Sequence, residues 1–231
     1  MKISLTENQT MQAMGDFLTA ILSATTEIIA GQDNLVSEPL SEDFVSMLPI
    51  MQHRICMNET SYRDCWFTGS IAGTTLTVTD ATYGTIEVGN QVFGPTVLAN
   101  TLIAEILTGN TYKVSKTQTV TNQKISAGLR DDLAPKEVTI QLDVHGPSSS
   151  ESSVIIEALF RSDYGTDFFE LTGFDVLPLY CSEPRQIVFS NAEQQSEKRW
   201  TIDCTLQCNP IVTVPQQFAD VLEVTTYQGD L

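Results

Sequence analysis

At 231 residues the chain has room for one large domain or two small ones, and its 42% hydrophobic content fits an ordinary buried core rather than a disordered chain. Twelve basic and 29 acidic residues give a formal charge of −17, a surface that repels phosphate and argues against groove or counterion-release binding of nucleic acid. No apolar run approaches the roughly 18 residues of a transmembrane helix, and MKISLTENQT has no apolar core or cleavage site of a secretory signal. Taken alone, the acidity has two readings: a solvated surface that favours solubility, or a wall that sits near DNA without holding it.

From the N-terminus, Met11, Met14, Phe17, Leu18, Ile21 and Leu22 recur at helical spacing, so Glu7–Leu22 is expected to be a helix capped by Thr6. Thr26–Gly31 reads as a short strand and Gln32–Asn34 as a turn. Asp43–Met51 is a second strand, with Pro49 marking an edge or a bulge, and residues 52–66 can continue it.

The style changes at Phe67. Residues 67–120 contain no cysteine, are rich in Thr and Gly, and alternate at Leu76-Thr-Val78, Ile86-Glu-Val88 and Tyr112-Lys-Val114, with Gly-Asn turn signals at 89–90 and 109–110. Three acids and two lysines give this window a net charge of −1, so the flanking sequence, with 26 acids and 10 bases, carries −16. The window therefore reads as an inserted small all-β domain, sandwich- or barrel-like, within a discontinuous host domain of residues 1–66 and 121–231.

Residues 126–136 read as a polar connection. Val138, Ile140, Leu142 and Val144 alternate with polar residues as a half-buried strand that His145-Gly-Pro147 ends. The serines of 148–153 offer N-caps for a helix expected to stop near Tyr164-Gly165. Phe174–Cys181 is an extended apolar segment, 182–197 a polar loop, and 199–208 the most regular stretch of the chain. There Trp200, Ile202, Cys204, Leu206 and Cys208 occupy every second position, as a strand with one buried face requires. A short helix follows near 216–220. Neighbouring strands with helices to one side argue for an α+β host with a mixed or antiparallel sheet flanked by helices.

The five cysteines (56, 65, 181, 204, 208) are an odd number without a signal sequence, which points to free, mostly buried thiols in a reducing compartment. Their spacings do not make a zinc site. No G-x-S-x-G, Walker A, G-x-G-x-x-G or H-E-x-x-H pattern occurs. The two histidines fall at a polar surface stretch (His53) and a strand end (His145), and Asp131-Asp132 beside Arg130 read as solvated loop acids. No catalytic, cofactor or metal residue is expected. The 182–197 stretch has two readings, a solvated hairpin or a protein-contacting edge whose interface residues are Glu183, Arg185, Gln186, Phe189, Glu193, Gln194 and Gln195. There Arg185 can reach a neighbour's carboxylate and Phe189 can anchor a contact.

Several motifs in one order resemble the bacteriophage neck (tail) terminator proteins. They are Pro178-Leu-Tyr-Cys181, Glu183-Pro-Arg-Gln186, Asn191-Ala-Glu-Gln-Gln195, Lys198-Arg-Trp200 and Asn209-Pro-Ile-Val-Thr-Val-Pro-Gln-Gln-Phe-Ala-Asp220, preceded by Gln141-Leu-Asp-Val-His-Gly-Pro147 and Ala158-Leu-Phe-Arg-Ser-Asp-Tyr164. The 67–120 window departs from that pattern and resembles small β modules inserted in phage structural proteins. The resemblance implies a non-catalytic virion protein that assembles in the host cytoplasm. It would form a homo-oligomeric ring, typically hexameric, capping the tail tube and joining it to the head–tail connector, with tail tube or sheath and collar proteins as partners. Genomic DNA would pass through an acidic channel without sequence-specific binding, and no membrane is involved. An alternative is a monomeric decoration module whose β insertion contacts a host surface or carbohydrate.

Overall fold

The computed structural model describes residues 1–31, 39–190 and 196–217, leaving aside the side chains of 188–190, 196 and 197. Its elements are β1 (Lys2–Ile3), α1 (Glu7–Ile21), β2 (Glu27–Ala30), β3 (Phe44–Arg54), β4 (Glu59–Tyr83), β5 (Gln91–Phe93), β6 (Thr101–Ile106), β7 (Thr111–Leu133), β8 (Lys136–His145), α2 (Ser149–Phe160), α3 (Asp163–Leu171), β9 (Val176–Cys181), β10 (Arg185–Ser190), β11 (Ser196–Cys208) and β12 (Ile211–Pro215). Among the described residues, two six-stranded sheets and three helices make the fold predominantly β, a correction to the expected balance of α and β. The described residues form two compact units, one within 3–58 and 133–211, the other of 1–2, 59–132 and 212–217. The window 67–120 lies inside the second.

In the unit of residues 3–58 and 133–211 the sheet runs β10-β11-β8-β3-β2, with β9 also paired to β11. Among the described residues only the β2–β3 pairing of this sheet is parallel. Alternation decides the faces: Ile202, Cys204 and Leu206 lie opposite Leu142, Ile140 and Val138. All six are buried against the helices. Helix α1 turns Thr10, Ala13, Met14, Phe17 and Leu18 inward. It starts where expected, because the Thr6 hydroxyl accepts from the Gln9 amide (3.3 Å) while the Thr6 amide donates to Gln9 Oε1 (2.8 Å), a reciprocal capping box. Phe17 meets Phe160, Phe168 and Phe169 at centroid distances of 6.0, 5.6 and 5.3 Å, so the three helices share one aromatic contact above the sheet.

Pro49 and Pro178 each mark a slip in the ladder of this sheet. The β3–β8 register shifts between Pro49 and Met51, past the last residue that β2 pairs. The β9–β11 register shifts opposite Pro178. Proline lacks the amide a ladder needs, so a bulge is where it fits. Gly146 ends β8 at φ +102, and a Cβ there would stand 2.2 Å from the Glu42 carbonyl, so no other residue fits.

One expectation needs correction here. The helix expected to run to Tyr164-Gly165 breaks at Arg161-Ser162, and a separate helix, α3, follows. Gly165 lies inside it, where a Cβ would come within 2.7 Å of the Leu159 carbonyl, so the glycine permits close approach of the α2–α3 corner rather than stopping a helix. The 182–197 loop is largely a hairpin, with β10 antiparallel to the start of β11. The turn expected at Gln32–Asn34 and the short helix near 216–220 lie outside the described residues, apart from Gln216 and Gln217, which are not helical.

In the second unit the sheet runs β1-β12-β7-β5-β6, with β4 on β7. Its core gathers Cys65, Phe67, Ile71, Leu76, Val78, Val92, Ile103, Val114 and Ile125. β4 doubles back at Gly73, whose φ is +64; Thr79 on the returning arm donates to the Thr68 carbonyl (3.1 Å). Residues 126–133, expected as a polar connection, continue β7 instead. Ile86-Glu-Val88, expected as a strand, is irregular. Gly84 (φ +72) bends the chain against the Asp64 carbonyl, and Arg63 holds Glu87 at 2.6 Å.

That arginine organises the unit's polar surface. Arg63 Nε and Nη2 donate to both oxygens of Asp131 (2.6 and 3.1 Å), and Thr213 of β12 donates to Asp131 as well (2.6 Å). Asp131 is therefore a structural anchor rather than a solvated loop acid. The Arg63 hydrogen bonds hold its carboxyl below the usual range, against the opposing effect of burial. A carboxylate depressed on folding stabilises above its unfolded pKa of about 3.9, and that contribution disappears as pH falls through the lower folded value. An Asp131→Asn variant is expected to lose about 1 kcal/mol at pH 7, the figure held low because Arg63 is 41% exposed. Urea midpoints at pH 7 and pH 3 check this: the gap between variant and parent should narrow at the lower pH.

Candidate subunit interface

Of the expected interface residues, Arg185, Gln186 and Phe189 lie in β10, at one edge of the 3–58/133–211 sheet. β10 lines one end of β11 and β9 the other, and β10 has no second strand neighbour among the described residues. Arg199 pairs with Ile187 and Thr201 with Arg185. The Gly146 amide donates to the Lys198 carbonyl (3.2 Å), which turns the backbone groups of Lys198 toward β8 and those of Arg199 toward β10. Strand alternation then leaves the backbone groups of Gln186 and Val188 pointing away from the sheet. An edge of this kind is a template for pairing with another chain.

Of the side chains expected here, Glu183, Arg185 and Gln186 are exposed. Arg185 places Nη2 3.1 Å from Asp203 Oδ2 of its own chain while remaining 63% exposed, so most of its donors still face outward. The backbone of Phe189 lies in β10, but its side chain, and all of Glu193, Gln194 and Gln195, fall outside what is described.

The sheet face turned away from the helices carries a polar network that the sequence reading missed. Asp143 sits at its centre: Arg199 Nη2 donates to it at 2.6 Å, Thr201 Oγ1 at 2.9 Å and Gln141 Nε2 at 3.2 Å. Only 15% of the Asp143 side chain and 23% of Arg199 are exposed, so this pair is shielded from solvent and the groups around it are held in register. Cross-strand spacing was the available signal, since Asp143 and Thr201 sit at matching phases of two alternating strands. His145 closes β8 stacked on Phe44, with centroids 4.4 Å apart, a packing role at the strand end.

The sheet's other edge is β2. Beside it α1, β2 and β3 form a groove of about 440 Å³ with Met11, Ile28 and Met47 in its floor and Glu7, Asp16 and Thr19 along it. Among the described residues no group of three or more His, Cys, Asp or Glu side chains is placed to hold a metal ion. No helix among them is long and apolar enough to cross a membrane.

Residues 111–230, more than half the chain, match the family described as phage neck terminator protein. The chain belongs to this family. The match begins with β7 and includes β8 to β12, so it takes in the Asp143 network and the β10 edge. No curated protein matches the chain. Neck terminator proteins are structural rather than enzymatic, which places this terminator in the phage neck, in the virion, among other head and tail proteins.

Proposed function

We propose that this neck terminator closes into a ring, hexameric by the family's pattern, that caps the tail tube and joins it to the head–tail connector with DNA passing through its centre. A closed ring needs two different surfaces on each subunit, so that one subunit's first meets the next one's second. The observation that carries the reading is the pair of unlike sheet edges, β10 at one side and β2 with its groove at the other. The formal charge of −17 suits a wall that repels a passing phosphate backbone, an effect that a confined channel screens less than open surface does. Residues 67–120 then serve as an inserted docking module.

A Gln186→Pro variant tests the edge, because it removes an amide that faces away from β11 and leaves the β10–β11 ladder intact. Light scattering should give a ring mass for the parent and a monomer mass for the folded variant. A variant that still forms the ring places the contact elsewhere.

A second reading, a decoration module, draws on one feature of the other unit. Trp66 and Tyr83 lie 4.9 Å apart and are 40% and 58% exposed, an aromatic pair able to stack on a sugar ring. Trp66→Ala should leave ring mass unchanged under the first reading. Loss of glycan-array binding in that variant would support the second.

A further inference from the structure

Four of the five cysteines are buried, and two of them face each other. Cys181 of β9 and Cys204 of β11 are direct cross-strand partners. The next pair along fixes their type: the Ser182 amide donates to the Asp203 carbonyl (2.8 Å), so Ser182–Asp203 is the hydrogen-bonded pair and Cys181–Cys204 the non-hydrogen-bonded one. Such pairs hold their Cα atoms about 4.5 Å apart with side chains close together, inside the range of roughly 4.4–6.8 Å that a disulfide spans. Both side chains point to the helix side, where Cys181 Sγ lies 3.9 Å from the Glu157 carbonyl and Arg161 donates to the Cys181 carbonyl. The other thiols have no such partner. Cys208 lies four residues beyond Cys204 along the strand, about 13 Å away, and instead approaches Thr10 Oγ1 at 3.7 Å.

We propose that Cys181 and Cys204 are an oxidation site, a cross-strand dithiol that closes to an intrachain disulfide when a small peroxide reaches it. Cys181 is the attacking sulfur. The Cys204 thiol donates to it and the Arg161 guanidinium lies nearby, holding Cys181 down to about 7, while burial keeps Cys204 protonated. The Cys181 thiolate attacks one peroxide oxygen and the O–O bond breaks, giving a sulfenic acid and hydroxide. The Cys204 sulfur then attacks the Cys181 sulfur, the S–O bond breaks and water leaves; the Cys204 proton goes to the departing oxygen. In sum, two thiols are oxidised to one disulfide and one peroxide is reduced to two waters. Cys181 is only 3% exposed, so a neutral oxidant of near-water size is the class that fits. β9 is an edge segment with no strand beyond it among the described residues, which gives the oxidant a short path. The product suits a particle assembled in reducing cytoplasm and later released from it.

The test uses the full chain with Cys56→Ser, which removes the one exposed thiol. The folded protein is treated with graded hydrogen peroxide, the remaining thiols are alkylated after denaturation, and the unreduced peptides are mapped. The expected result is simultaneous loss of two thiols and a link between the tryptic peptide holding Cys181 and the one beginning at Trp200, assigned to Cys204 by fragmentation between Cys204 and Cys208. The melting midpoint should rise on oxidation and return on reduction. In a Cys204→Ser variant the reaction should stop at a dimedone-reactive sulfenic acid on Cys181. Sulfinic acid on Cys181 with Cys204 still reduced would overturn the proposal, as would four intact thiols at peroxide levels that oxidise Cys56 in the parent. The peptide map needs no variant at either position, so it decides the matter even if Cys204→Ser fails to fold.

Discussion

A Phe17→Ala variant is expected to destabilise the helix-on-sheet unit by about 3–5 kcal/mol, the range for removing a fully buried phenylalanine from a packed core. Phe17 is 0% exposed and, from α1, meets aromatic rings of both α2 and α3. Its loss therefore removes apolar burial and also leaves a void that three helices would have to collapse into. The two tryptophans make the measurement clean, since Trp66 and Trp200 fall in different units. In a Trp66→Phe background, Trp200 fluorescence reports the unfolding of this unit alone, and the urea midpoint should fall steeply in Phe17→Ala. A shift below about 1 kcal/mol would mean that the aromatic contact is not the keystone of the unit.

The second large effect is expected at Asp143. Removing one partner of a shielded ion pair typically costs about 3–5 kcal/mol, because the remaining charge stays desolvated. Partial exposure of Asp143 and Arg199 lowers the expectation for Asp143→Ala to about 2–4 kcal/mol. Asp143→Asn should cost less, since an amide oxygen can still accept from Thr201. Replacing both Asp143 and Arg199 by apolar residues should recover part of the loss, and a double-mutant cycle on the Trp200 signal reads that coupling directly. If the two single variants were additive, the pair would be an incidental surface contact.

The pattern across these sites shows what a sequence can disclose. β8 and β11 were legible because one face of each packs on helices and the other does not, which writes a period of two into Val138–Val144 and Trp200–Cys208. The start of α1 was legible because Thr6 and Gln9 form a local capping box. What escaped depended on distant partners. Residues 126–133 looked like a loop because Arg130-Asp131-Asp132 is charged, yet Asp131 is satisfied by Arg63, 68 residues away. α3 was hidden because Gly165 and the adjacent Phe168-Phe169 break a simple helical reading; the glycine is needed for contact with the Leu159–Phe160 turn. At the interface, the polarity of 182–197 was visible and a hairpin was one of its readings, but the outward-facing amide of Gln186 follows from register, which composition does not carry.

The most direct test of the central claim is a cryo-electron reconstruction of the phage neck in particles carrying this protein with a small rigid tag in the loop at Gly109-Asn110. The expected result is a ring of tagged subunits at the junction of tail tube and connector, six around the axis, with DNA density running through its centre. Tag density on the capsid surface or on receptor-binding appendages, with none at the junction, would contradict it.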